Sequence, residues 1–281
     1  LTAVISSASE KNGLAMEKGG NYENTEICLM KIDGTQLQPI VGPKPGRVNC
    51  NSSWSHDGKR IIFMSGSRKS GVYAYWYHVE TGKLTKVPSP SFIKAIADPH
   101  QVGDAITFST RLPGVKEPQG VWMMKSDGSK CRQVSFPTLI NNPINIGVPP
   151  GDHDARLSPD GAKIALMRQV GGAFHTVIVD IETGRENNLT IKDYPKMPMT
   201  GEGVADWSSD GKLLIFRHIA MKHDGPRGIG IYVMKPNGTQ RRKIPTPKGE
   251  LPHVQPGFFP EGSGPNTRVI YQTEKNPEFN F

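Results

Sequence analysis

Leu157-Ser158-Pro159-Asp160-Gly161, running directly into the β-prone stretch Ala162 to Leu166, decides the fold because the chain repeats it. Trp54-Ser55-His56-Asp57-Gly58 precedes Lys59 to Phe63, and Trp207-Ser208-Ser209-Asp210-Gly211 precedes Lys212 to Phe216. Two looser copies fit the frame. Pro99-His100-Gln101-Val102-Gly103 stands before Asp104 to Phe108, and Phe258-Phe259-Pro260-Glu261-Gly262 has its strand delayed to Arg268 to Gln272. Glycines at 58, 103, 161, 211 and 262 set successive copies 45, 58, 50 and 51 residues apart, a spacing that belongs to propeller blades.

A second phrase alternates with the first: Ile27 to Gly34, Tyr75 to Gly82, Val121 to Gly128, Val177 to Gly184 and Ile231 to Gly238. Each is an apolar strand ending in Asp-Gly, Thr-Gly or Asn-Gly, which supply the positive φ angles of a tight hairpin. Ser-Pro-Asp-Gly makes the turn between the first two strands of the unit. Two hairpins per repeat give a four-stranded antiparallel sheet. Such a sheet cannot bury both faces alone, so successive sheets stack radially and close a circle. The expected fold is therefore all-β, a β-propeller with six blades, or five, in a single domain of residues 1–281. Blades are placed at 1–46, 47–92, 93–150, 151–202, 203–250 and 251–281; the terminal two are incomplete or closed jointly by both chain ends.

Composition agrees. The 281 residues include 31 Gly and 24 Pro, suited to short elements and tight turns, with 36% hydrophobic residues for a core. No run approaches the ~18 apolar residues of a membrane span, and no signal peptide opens the chain. Because it begins at Leu1, either a leader has been removed or the sequence is an excerpt. The net charge of +8 is scattered and forms no stripe, which argues against nucleic acid. Cys28, Cys50 and Cys131 lack zinc-knuckle or redox-pair spacing, leaving buried thiols, or one disulfide plus one thiol in an oxidising compartment.

The phrases SPDG, KIAL and IYVMKPNG, spread from about Ile27 to Gln272, resemble the propeller repeats of the TolB-type family. The resemblance implies a periplasmic or secreted platform. In TolB the propeller binds proteins, in prolyl oligopeptidase relatives it gates a hydrolase, and in oligogalacturonate lyases it carries a metal-assisted channel site. The sequence has no G-x-S-x-G nucleophile elbow and no length for a hydrolase domain after Phe281. It also has nothing like the N-terminal domain of TolB before the first repeat. The expected function is a non-catalytic interaction or scaffold module whose partner is a protein or larger complex. The alternative is a lyase acting on an acidic glycan.

First strands of propeller blades line the channel, so equivalent positions meet there. Counting nine residues back from Gly58, Gly161, Gly211 and Gly262 gives Asn49, Asp152, Glu202 and His253, with His153, Asp154 and Gln255 beside them. Imidazoles and carboxylates together suit a divalent metal or a cationic group, with His253 and Asp152 as ligand candidates. The competing reading is structural: acidic residues opening first strands tie neighbouring blades through backbone hydrogen bonds. No other cofactor is expected. His56, His100, His218 and His223 read as solvated loop residues, and Tyr73, Tyr75, Trp76 and Tyr77 as packing within a strand. Insertions at Arg111 to Gln119, Pro137 to Gly151 and Ala220 to Arg227 exceed minimal hairpins, and long loops on a rigid scaffold are the usual binding surfaces.

Overall fold

The computed structural model describes residues 2–8, 25–31, 38–42, 44–55, 58–67, 69–138, 150–170, 173–190, 200–220, 230–245, 250–252, 257–258, 269–270 and 273–275. All regular structure among them is strand. β1 (Thr2–Ala8), β2 (Thr25–Lys31) and β3 (Gln38–Val41) form a three-stranded sheet. Four sheets of four strands follow, each a meander of antiparallel neighbours. They are β4 (Val48–Trp54), β5 (Arg60–Ser67), β6 (Gly71–His78) and β7 (Leu84–Lys86), then β8 (Ala97–Val102), β9 (Ala105–Thr110), β10 (Gly120–Lys125) and β11 (Arg132–Gln133). Next come β12 (Asp152–Leu157), β13 (Lys163–Val170), β14 (Ala173–Asp180) and β15 (Glu186–Asn188), then β16 (Thr200–Trp207), β17 (Leu214–Ala220), β18 (Gly230–Met234) and β19 (Arg242–Lys243). Two short pairs end the chain, β20 (Glu250–Pro252) with β23 (Thr273–Lys275), and β21 (Gly257–Phe258) with β22 (Val269–Ile270).

These four sheets are propeller blades, and the repeated phrases make their turns. Ser158 Oγ donates to Asp160 Oδ1 at 2.6 Å and accepts from the Lys163 N–H at 2.9 Å, while Asp160 Oδ1 accepts from the Ala162 N–H at 3.0 Å. Ser208 and Asp210 repeat this at 2.7 Å, with the Leu213 and Lys212 N–H groups as donors. Ser55 takes the same place in the second sheet, accepting from the Arg60 N–H at 2.9 Å. A short side chain thus satisfies N–H groups that the reversal leaves outside the ladder. In the second phrase Asp127, Asp180 and Asn237 each accept from an N–H two or three residues on.

Contacts divide the chain into two compact units, Leu1–Leu139 with Asn145–Ala155, and Ile140–Ile144 with Arg156–Phe281. Within the first, Ile62, Ala74 and Trp76 pack against Ile106, Phe108 and Met124 of the next sheet, with Val87, Ile93 and Ile96 filling between. The Trp76 indole N–H crosses from sheet to sheet to Gln101 Oε1 at 2.8 Å. Within the second unit, Ala165 and Ile178 pack on Trp207, Phe216, Tyr232 and Met234, and the Trp207 indole N–H donates to the Arg156 carbonyl at 2.9 Å. Each such large side chain contributes about 1.5–3 kcal/mol by burial.

Two histidines depart from expectation. His100 and His218 are strand residues of β8 and β17, only 8% and 2% exposed, not solvated loop residues. The third blade's first turn is shorter than in its neighbours, which draws His100 into the ladder opposite Thr107. His218 pairs with Glu202 and Gly230, because β17 continues past the point where the apolar run ends. His56 and His223 lie outside the described residues.

Gln119 and Gly151 form a parallel bridge, with Gln119 N–H donating to Pro150 O at 2.9 Å and Asp152 N–H to Gln119 O at 2.8 Å. A Cβ on Gly151 would lie 2.1 Å from Gln119 O, and its φ is +132°. Gly161 has φ +72° but open space around it. Gly151→Ala is therefore expected to lose about 2 kcal/mol or more in urea unfolding, and Gly161→Ala only about 1 kcal/mol. Equal losses would contradict the close approach.

The turn hydrogen bonds hold Asp104, Asp127, Asp160 and Asp180 below the ordinary carboxylate range, the first three mainly through a serine hydroxyl and Asp180 mainly through the Thr183 N–H. A folded-state pKa below the unfolded one means stability that is full above the unfolded value and is lost as pH falls through the folded value. Thermal unfolding should show these groups contributing no slope above about pH 5 and a decline below about pH 4. Ser158→Ala should make that decline shallower.

Candidate functional site

The first strands bring several of the sequence candidates into one described unit. Asn49 is buried in β4, where Ser65 Oγ donates to its Oδ1 at 2.7 Å and its amide donates to Gly42 O at 3.4 Å. Asp152 is fully buried at the start of β12. His153, 3% exposed, sits with Nδ1 2.9 Å from Gln119 Nε2, and that same amide lies 3.3 Å from Asp152 O. A carbonyl only accepts, so Gln119 presents its NH2 and His153 Nδ1 accepts; the proton of the neutral ring is then on Nε2. Glu202 lies in β16 with its side chain outside the described structure, and His253 and Gln255 lie outside the described residues. Among the described residues no three of His, Cys, Asp and Glu stand together as a cation would require.

Asp154 belongs to a set that counting back from the glycine does not reveal. Asn51, Asp98 and Asp154, one on each of β4, β8 and β12, all have left-handed backbones with φ 52°, 50° and 50°. In β4 and β8 the ladder slips at these residues, between Cys50 and Ser53 and between Ala97 and His100. A bulge of this kind bends the strand and re-aims side chains, and Asn and Asp tolerate it better than other non-glycine residues. Asn51 uses its turned amide to donate to the Asp98 carboxylate, joining two blades, and stands 3.6 Å from Met64 Sδ. The sequence carries an Asn or Asp inside each of these three first strands. Aligned on these residues, the third blade places buried Ile96 where Asn49 and Asp152 stand.

A different surface lies on the third blade. A cleft of about 310 Å³ has Trp122, Gly120 and Gln133 in its lining, with Leu112, Val115 and Pro118 from the expected binding loop, and Phe136 and Pro137 beyond β11. Its construction is firm. Val134 N–H donates to Val121 O at 2.9 Å, the Val121 N–H donates back to Ser135 Oγ at 2.8 Å, and Gln133 Nε2 donates to Ser135 O at 2.8 Å. A Cβ at Gly120 would stand 2.5 Å from Gln133 Nε2, so glycine there lets the amide lie close. Val134 and Ser135 are buried, and Phe136, next after them, is 69% exposed. Phe92, 46% exposed, lies against Trp122 with ring centroids 6.0 Å apart, and Val115 is 40% exposed. Buried Thr110 and exposed Arg111 and Glu117 complete the lining.

No family model and no curated protein matches the sequence. Solved structures do. TolB from Acinetobacter baumannii aligns with a TM-score of 0.63 and 16% identity over 90% of this chain, which spans 60% of that protein's length. The TolB-designated structure from Agrobacterium tumefaciens gives 0.66 and 17% over 92% of this chain and 80% of that one. The fold is that of a TolB-type β-propeller. The β-propeller domain of the Trilobed protease from Pyrococcus furiosus, described as having an open velcro topology, aligns at 0.53 and 13% over 97% of this chain and 72% of that one. Identities this low establish the fold and leave the chemistry to the site itself.

In this TolB-type propeller the two described thiols differ in setting. Burial, reinforced by the negative charge of Asp98, pushes Cys50 up to about 12, and burial alone raises half-buried Cys131. Thiolate is the reactive form, so Cys50 should resist iodoacetamide at pH 8 in the folded protein and react fully in urea, with Cys131 labelled first. Peptide mapping reads this directly; equal labelling of both in the folded state would contradict the effect of Asp98 and desolvation on Cys50.

Proposed function

We propose that this TolB-type propeller is a protein-interaction module of an extracytoplasmic assembly, and that it engages its partner through the third blade. One observation carries the reading: of the four large hydrophobic side chains exposed among the described residues, Phe92, Val115 and Phe136 gather around the Trp122 cleft, and only Leu84 lies apart. Contiguous apolar surface on a well-packed protein marks a place that another surface covers. Aromatic anchors in a shaped recess are the usual centres of binding energy at protein interfaces. The TolB-type fold is consistent with a platform role and with a periplasmic or secreted location. The test is site-specific photocrosslinking in extracts of the source organism, with benzoylphenylalanine in place of Phe136 or, as control, in place of Leu84. A discrete protein adduct at 136 and none at 84 is expected. Equal patterns at the two positions, or no adduct at 136, would overturn the assignment of the interface to this blade.

A further inference from the structure

The third-blade cleft carries both halves of a contact on one patch. Phe136 stands at its edge, 69% exposed, beside a recess of about 310 Å³ whose lining includes Leu112, Val115, Pro118 and Trp122, with room for a phenyl ring. The same lining holds one cation and one anion, Arg111 and Glu117, both exposed and, among the described residues, neither ion-paired. Their charges cancel within the lining, so the cleft selects neither an acidic nor a basic occupant. A patch with a projecting aromatic, a recess, a positive group and a negative group is complementary to itself, because a twofold axis sets residue i against j and j against i. We infer that the third-blade cleft joins two copies of this chain in a twofold dimer, the Phe136 ring of each seated in the other's cleft and Arg111 of each facing Glu117 of the other. The inference rests on the reading of this cleft as the interaction surface and names its occupant.

Charge over the rest of the chain agrees with this choice of face. Each copy carries a net charge of +8, so two copies repel wherever basic surfaces meet, and their approach is least opposed where the local charges cancel. Pairing across a twofold axis also covers Phe92, Val115 and Phe136 of both copies at once, three of the four large hydrophobic side chains exposed among the described residues. Each Arg111–Glu117 contact is made twice, so a change to either residue is felt at two places. A cleft and its rim make a small interface, which gives a weak, concentration-dependent pair.

Sedimentation velocity of the full chain, loaded at about 1 to 100 µM, spans the affinity expected of such an interface. A dimer that grows with concentration is expected, and Phe136→Ser should weaken it about tenfold or more. Arg111→Glu alone and Glu117→Arg alone should each weaken it as well, because like charges then face each other at both contacts. An equimolar mixture of these two single variants should dimerise again, since each then meets the opposite charge on the other. Leu84→Ser, at an exposed position apart from the cleft, should change nothing. Circular dichroism checks that each variant keeps its blades; all four substitutions are at exposed positions. A chain that stays monomeric at every concentration, a dimer indifferent to Phe136→Ser, or a mixture no better than either single variant would overturn the inference. Photocrosslinking at position 136 separates this from the wider reading of the cleft. An adduct of twice the chain mass is expected; an adduct with a different protein would leave the interaction surface standing and remove the second copy as its occupant, and no adduct at all would remove both.

Discussion

The structure depends on the fact that its central sheets have no face fit for water. In β14 seven consecutive residues, Ala173 to Val179, are buried, and all five of β18 are. A strand with one wet face alternates buried and exposed residues; a continuous buried run requires cover on both sides. Such a sheet is stable only between neighbours, and the repeat at about fifty residues follows from that need. The sequence also places an indole where one sheet meets the next. The N–H groups of Trp76 and Trp207 each donate to an acceptor on an adjacent first strand, so the apolar interface carries one directional bond that sets its register.

The same constraint fixes how each blade ends. After the fourth strand, Val87, Val134, Leu189 and Ile244 each donate their N–H to the third strand, at Ala74, Val121, Thr176 and Ile231. In two blades a hydroxyl on the next residue returns the bond: Ser135 accepts from the Val121 N–H and Thr190 from the Thr176 N–H. The outer strand is therefore short in ladder terms, two residues in β11, yet its continuation is held by an apolar side chain and a hydroxyl acting together.

Turn chemistry was fully legible in the sequence, because Ser, Asp and Gly act on their own neighbours and need no knowledge of the rest of the chain. What lay beyond reach was set across blades. His100 and His218 look like loop residues beside polar neighbours, and only the pairing of strands buries them. Asn51, Asp98 and Asp154 interrupt first strands with left-handed residues, which an alternation pattern reads as ordinary polar positions. Counting from the turn glycine gave a polar ring, but in the third blade the shortened turn puts Ile96 at that place. The Arg111 to Gln119 insertion was visible as a binding loop, while Trp122 and Phe136 were not, since each reads as one more hydrophobic residue of a β-rich chain.

Of those two aromatics, Trp122 is partly buried against the core and Phe136 is exposed just past the device that completes the blade. Val134 is buried and the Ser135 hydroxyl is committed to Val121, while Phe136, the next residue, stands exposed. A small polar residue at 136 would satisfy the fold equally well; a phenylalanine there, 69% exposed, does nothing for the packing of its own sheet. The neighbouring loop supplies Leu112 and Val115 on the other side of the recess, although a loop of that length could have been wholly polar. Core packing explains neither choice. Burial explains the blade, and the apolar lining of this cleft, with Phe136 exposed beside it, is the observation on which the proposed interaction surface rests.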